Sequence, residues 1–440
     1  MKKFLAGTIV AAFALTGLAA CSGGSNGASD KGSVYFLNWK PEQEKQFKEI
    51  AAEYTKAKGV QVKVVTAASG TYEQTLKSEI SKSDAPTLFQ INGPVGLKSW
   101  QKYAADLSGT DFAKALKDPN LALKGEDGKI YGVPAAVEGY GIIYNQAIFD
   151  KYFAMPGAKA KSMAEVNNFA KLKAVADDMQ AKKAELGIDG VFASTSLATG
   201  EDWRWQTHLA DLPVFYEYRD AKVTDEKQLT LKYANNFKNI FDLYLKDSTV
   251  APTLAPSKTV TDSMAEFALG KAAMVQNGNW AWSQIKDVQG NVVKEDQIKY
   301  LPIYTGVNGE EKQGLNVGTE AFMAVNAKAS EANQKATIDF INWLYLSDEG
   351  KKHVINDLGF IAPFTNYSAT DVPNDPLAKE IAKYTADKDK YVVSWVFTTF
   401  PSQKFKEDLG QALAQYASGK QSWDDVVKIW KDGWAAEKGA

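Results

Sequence analysis

The residue types able to do chemistry are few in this chain, and their scarcity decides most of what it can be. His208 and His353 are the only histidines and Cys21 is the only cysteine, so the clustered ligands of a zinc or redox site are missing, and neither a metal nor a cofactor is expected. A phosphate-cradling loop needs Gly-x-x-x-x-Gly-Lys-Ser/Thr, and the nearest stretch, Gly270-Lys271-Ala272, lacks the first glycine and the hydroxyl. The one Gly-x-Ser-x-Gly match, Gly23-Gly24-Ser25-Asn26-Gly27, falls in the Gly/Ser-rich stretch after Cys21 and does not read as a strand-to-helix elbow for serine-nucleophile chemistry. A glycosidase needs only two carboxylates ~5 to 10 Å apart, which leaves a surface glycoside hydrolase as the enzymatic alternative. Binding chemistry is better supplied. The chain holds 11 Trp, 19 Tyr and 21 Phe, more tryptophan than a core of this size uses, and surplus indole points to a surface for flat apolar faces. Arginine occurs only at Arg204 and Arg219, so anions find no multiple guanidinium clamp. With 51 basic against 53 acidic residues, net charge −2 and no basic run, nucleic acid is not an expected partner.

The elements that must position these groups begin with a β-α-β unit. Ser33 to Asn38 reads as a buried strand. A helix follows with Pro41 in its first turn, Phe47, Ile50, Ala51 and Tyr54 on one face and Gly59 as its stop, and Val60 to Thr66 is a second strand. A further helix (Tyr72, Leu76, Ile80) and strand (Thr87 to Ile91) make this a parallel sheet. Ligands of open α/β sheets sit beyond the carboxyl ends of strands, which puts Asn38, Trp39, Gln90 and Asn92 on one rim as site candidates. Downstream, Ile130 to Pro134 and Ala135 to Asn145 read as extended chain crossing between lobes, and Phe149 to Leu186 as helical. Phe237 to Leu245, Met264 to Leu269, Ala336 to Leu346 and much of Phe405 to Trp434 read as further helices, with Ala272 to Gln276 and Ala321 to Asn326 as strands. Trp280, at a strand end after Asn277-Gly278-Asn279, is better placed for a ligand than for the core. Glu138, inside an apolar stretch, is costly unless bonded and so faces ligand. Trp203 and Trp205 diverge by ~200° on a helix; at most one lines a cleft, and Trp203 is the choice. His353, after two lysines, reads as a solvated face.

The N-terminus sets the location. Met1-Lys2-Lys3 leads an apolar run that ends in Leu18-Ala19-Ala20-Cys21, too short to span a bilayer and closed by small residues. The pattern resembles bacterial lipoprotein signals, which implies cleavage after residue 20 and lipidation of Cys21. Residues 21–31, rich in Gly and Ser, then form a flexible tether, and the folded body is held at the extracytoplasmic face of the cell membrane.

At Gly270 to Ile285 the chain reads Gly-Lys-Ala-Ala-Met-Val-Gln-Asn-Gly-Asn-Trp-Ala-Trp-Ser-Gln-Ile and resembles the extracellular solute-binding proteins of carbohydrate ABC importers, the group that contains maltose-binding protein. The tryptophan matching Trp280 stacks on sugar in that family. Ala135-Ala136-Val137-Glu138-Gly139-Tyr140-Gly141 matches the family's interlobe crossing, whose glutamate bonds sugar hydroxyls. Gly318-Thr319-Glu320-Ala321 resembles a second hinge, Leu358-Gly359-Phe360-Ile361-Ala362-Pro363 a characteristic loop, and Trp395 falls near another stacking tryptophan. Asn279, Tyr140, Glu320 and Phe360 join the candidates on this ground, Glu320 reading equally as a hinge group. Gln90 and Asn92-Gly93-Pro94 stand where the maltose-binding member has a tryptophan and an Asp-Arg pair, so its maltose contacts do not carry over.

The resemblance implies an α/β, two-lobed periplasmic-binding-protein-like fold with the ligand cleft between lobes. The lobes are expected at 32–137 plus 321–370 and at 138–320 plus 371–440. The expected activity is capture, without catalysis, of a neutral oligosaccharide by a monomer that delivers it to the membrane permease subunits of an ABC importer. Glycines in Glu138 to Gly141 and in Gly318-Thr319 are expected to absorb hinge rotation.

Overall fold

The computed structural model describes residues 31–439 apart from Ser69, Thr195 and Ala369; the signal segment and Cys21 lie outside the described residues. β1 (Ser33–Asn38) is buried from Val34 onward, the continuous apolar run that a central parallel strand requires. Pro41–Gln43 forms a short 3-10 turn leading into α1 (Glu44–Lys58). Its Phe47, Ile50, Ala51 and Tyr54 face inward, and Gly59 ends it in the left-handed conformation, φ 68°. β2 (Gln61–Thr66) and β3 (Leu88–Ile91) flank β1 in parallel register.

Two six-stranded sheets organise the rest. The first runs β2-β1-β3-β11-β5-β4, with β4 (Leu123–Lys124), β5 (Ile130–Pro134) and β11 (Phe322–Val325), the last antiparallel to both its neighbours. The second runs β12-β10-β6-β8-β7 with β9 also paired to β6: β6 (Glu138–Asn145), β7 (Gly190–Phe192), β8 (Ala272–Gly278), β9 (Ile298–Leu301), β10 (Gln313–Gly318) and β12 (Tyr391–Ser394). Each sheet carries apolar clusters on both faces. Among the described residues no helix is long and apolar enough to cross a membrane.

The chain changes sheet between Pro134 and Glu138, again between Gly318 and Phe322, and a third time between Val325 and Tyr391. Thr319 Oγ1 donates to the Ala136 carbonyl at 2.8 Å, tying the first two passages together, and Val137 N donates at 2.8 Å to the carbonyl of Ile361 in the third. The glycines at the start of β6 have a packing reason of their own. β6 is a regular, wholly buried strand, and a Cβ at Gly139 would lie 2.5 Å from Ile381 and one at Gly141 2.9 Å from Leu315, so these residues are small to admit close packing. Ala321, by contrast, takes a positive φ of 56° in the second passage, a strained backbone for a residue with a Cβ.

Two expectations need correcting. The stretch Phe149 to Leu186 is not continuous helix but Gln146–Phe153, Phe169–Ala181 and Lys183–Leu186. Pro156-Gly157 breaks it, and Asn168 restarts it by accepting a bond from Lys171 N. The Trp203-Arg204-Trp205 segment does not open an ordinary helix either: Arg204–Leu209 is a π-helix, and all six of its residues are buried.

Candidate functional site

The chemistry collects where the two sheets face each other. β8 ends at Gly278, and Trp280 caps the following helix, Ala281–Lys286. Its indole lies 6.1 Å from the ring of Tyr140 on β6 and 5.9 Å from Trp203. Trp395, just past β12, joins through His208, whose ring is 5.0 Å from Trp395 and 5.8 Å from Trp280. The guanidinium of Arg204 sits 4.0 Å over the Trp203 ring. Trp205 turns the other way, packing on Phe241 and Tyr244, and Trp282 packs with Phe267 and Ile285 in the core beside β8. The divergence of Trp203 from Trp205 is therefore as the helical angle requires.

From the first sheet comes Lys40, immediately after β1. Its Nζ reaches 2.6 Å from Glu138 Oε1 and 4.0 Å from Glu42, and stands 5.4 Å over the Trp280 ring. Burial alone lowers a lysine pKa, but the carboxylates of Glu138 and Glu42 outweigh it and hold this ammonium above its ordinary value. Lys406 on the helix Gln403–Ala417 is buried nearby, its pKa lowered by burial against the pull of Glu320 and Glu73. Glu73 in turn accepts from Trp100 Nε1 at 2.9 Å. The lobes touch directly at Gly93, φ +62°, where a Cβ would stand 2.7 Å from Cβ of Thr398.

The remaining rim residues divide by what their polar atoms already do. Trp39 stacks on Tyr72 at 4.7 Å, and its backbone N–H donates to Gln90 Oε1 at 2.8 Å. Asn92 Oδ1 is buried without a partner among the described residues, as are Gln206 Oε1, Arg204 Nε and Trp395 Nε1. Asn38 is spent on the turn itself: its amide donates to Lys40 O at 2.8 Å and to Thr66 Oγ1 at 3.2 Å, and its oxygen accepts from Lys40 N. Asn279 Oδ1 accepts from Gly139 N at 3.1 Å, splicing β6 to the end of β8. Phe360 belongs to the first-sheet core, 6.3 Å from Phe47, because its loop folds back beneath α1. Lys40, Arg204, Lys406 and His208 complete the group and were not foreseen from the sequence.

Glu320, in the second passage between sheets, has its carboxyl pushed up to about 7, by burial first and then by the charge of Glu138, with Lys40 opposing. Between the ordinary glutamate value, about 4.5, and about 7 the folded protein keeps a proton that the unfolded chain releases, so this group's contribution to stability falls as pH rises through that window. Glu320→Gln needs no proton. Its melting temperature relative to wild type is expected to rise on going from about pH 4.5 to about pH 7.5; a constant difference across that range would refute the assignment.

The two-sheet architecture and cleft define a class, and comparison with known proteins gives the family. Residues 49–386 match the family model described as bacterial extracellular solute-binding protein, and the chain belongs to that family. It is 22% identical over 413 residues to the "Maltooligosaccharide ABC transporter solute-binding lipoprotein" of Streptococcus pneumoniae, covering 89% of this chain and 83% of that protein. Among solved structures, a "Chitin oligosaccharide binding protein" superposes with TM-score 0.72 at 18% identity, covering 94% of this chain and 100% of the other. RafE, solved "in complex with raffinose", gives 0.69 at 18% identity, covering 92% and 99%. At this identity the structural likeness speaks for the fold, which is the α/β, two-lobed arrangement with a cleft between lobes.

Proposed function

We propose that the protein captures a neutral oligosaccharide between its lobes and hands it to the permease subunits of an ABC importer. The observation that carries this reading is the aromatic group of Trp280, Trp203, Tyr140 and Trp395, set beside buried polar atoms that have no partner among the described residues. Indole faces cover the apolar sides of pyranose rings, while amide, carboxylate and indole N–H groups bond the hydroxyls. Trp280, Trp203, Trp395, Tyr140, Glu138 and Asn92 are the proposed contacts, with Trp39 and Gln90 forming the opposite rim and Glu320 the hinge. The saccharides named for the relatives support the same ligand class. The lobes are taken as 32–137 plus 321–370 and 138–320 plus 371–440, which agrees with the sheet to which each strand belongs. Lipid attachment at Cys21 would hold this monomer at the extracytoplasmic membrane face, and the family's character as binding proteins favours capture over hydrolysis.

Calorimetric titration with maltotriose, raffinose, stachyose and chitotriose tests the reading. Saturable binding of at least one sugar is expected, with a smaller radius of gyration at saturation and no release of product. Absence of heat with all four, or turnover of the bound sugar, would overturn it.

A further inference from the structure

His208 is 3% exposed and lies at the centre of the aromatic group. Its ring centroid is 4.5 Å from those of Tyr140 and Phe397, 5.0 Å from Trp203 and Trp395, and 5.8 Å from Trp280. It is carried by the π-helix Arg204–Leu209, a distortion that recurs at functional sites. The bonds around the ring point to one tautomer. With Thr207 Oγ1 donating to the Trp203 carbonyl, the hydroxyl accepts from His208 Nδ1, 3.0 Å away, which assigns the hydrogen to Nδ1. Burial, then the positive charge of Arg204, with Lys406 and Lys40 also facing the ring, holds the imidazole pKa well below its ordinary value against the opposing bond at Trp203. A neutral ring protonated at Nδ1 leaves Nε2 as a bare lone pair, buried and without a partner among the described residues. Sealing such an acceptor away from water with no donor is unfavourable.

We infer that His208 is a specificity-determining residue whose Nε2 accepts a hydrogen bond from a hydroxyl of the saccharide unit that packs on the Trp280 and Trp203 pair. The inference rests on the oligosaccharide reading and sharpens it. The site takes a sugar with a free hydroxyl at that position, rejects one methylated there because an ether cannot donate, and gains nothing from an ammonium group, since three cations already face the ring.

The experiment uses the two-histidine composition. Nitrogen-15 histidine labelling gives two imidazoles, with His353, held between Glu53 and Asp357, as internal reference. The free protein is expected to show the Nδ1–H tautomer at His208, and saturation with whichever of maltotriose, raffinose, stachyose or chitotriose binds tightest should move Nε2 toward the hydrogen-bonded position. His208→Phe, which keeps a ring but no acceptor, should bind that sugar about tenfold more weakly, and His208→Gln should recover part of the loss. An Nε2–H tautomer in the free protein, or a folded His208→Phe with wild-type affinity, would overturn the inference. Heat of binding with an unmoved Nε2 would overturn it alone, whereas no heat with any of the four sugars overturns the oligosaccharide reading and this inference with it. Should His208→Phe fail to fold, the wild-type resonances decide.

Discussion

Lys40→Met is expected to destabilise the protein by about 3 to 5 kcal/mol, the cost of leaving a buried charge without its partner. The side chains of Lys40 and Glu138 are only 9% and 4% exposed, and their 2.6 Å contact joins the end of β1 to the start of β6. Removing the ammonium leaves Glu138 facing the neighbouring carboxylates Glu42 and Glu320 with no compensating cation of its own. The double variant Lys40→Met with Glu138→Gln removes both charges and should regain most of that loss, because a matched uncharged pair avoids the desolvation that the ion pair must offset. Chemical denaturation of the two single variants and the double decides it. A loss below about 1 kcal/mol for Lys40→Met would class the pair with exposed salt bridges of little energetic weight.

Trp280→Ala is expected to weaken binding of the tightest panel sugar by about thirtyfold or more, roughly 2 kcal/mol, as truncation of a central aromatic anchor does. The indole also contacts Tyr140, Trp203 and His208 and belongs to the core around β8, so the free protein should melt lower as well. Trp280→Phe separates the two effects. It restores much of the packing but offers a smaller face, and should bind with intermediate affinity at near wild-type melting temperature. Calorimetry showing wild-type affinity for Trp280→Ala would remove Trp280 from the site.

What could be read from the sequence was local. The elements of the opening β-α-β unit, the stop at Gly59, the strand ends that carry Trp39 and Gln90, and the divergence of Trp203 from Trp205 all follow from patterns within single elements and their ends. The charges of the cleft were harder to find. Lys40 follows two rim candidates directly, yet what makes it a buried ion-pair partner is Glu138, 98 residues away, and no local pattern encodes that distance. Lys406 lies on the arc of Leu409, Gly410 and Leu413, all buried, so its helical position carries a usable signal. His208 was counted only as a missing metal ligand. Its role depends on rings from four separate segments, which only the tertiary fold assembles. The packing role of the β6 glycines was hidden for a related reason: a glycine that makes room and a glycine that turns look alike in sequence.

The place of β11 in the first sheet governs how this chain must be built. Residues 322–325 lie between β3 and β5, pairing with β3 residues that precede them by more than two hundred positions and with β5 residues that precede them by nearly as many. A nascent chain that has emerged only as far as β10 therefore holds the strands of the first sheet in two pieces, each with an open edge where β11 belongs. Contacts of such sequence separation make folding slow, and strand edges left waiting are templates for wrong pairing. The late arrival of four residues thus keeps the first lobe unfinished through three-quarters of synthesis, an interval in which the polypeptide remains loose enough to be threaded and exposed enough to need protection.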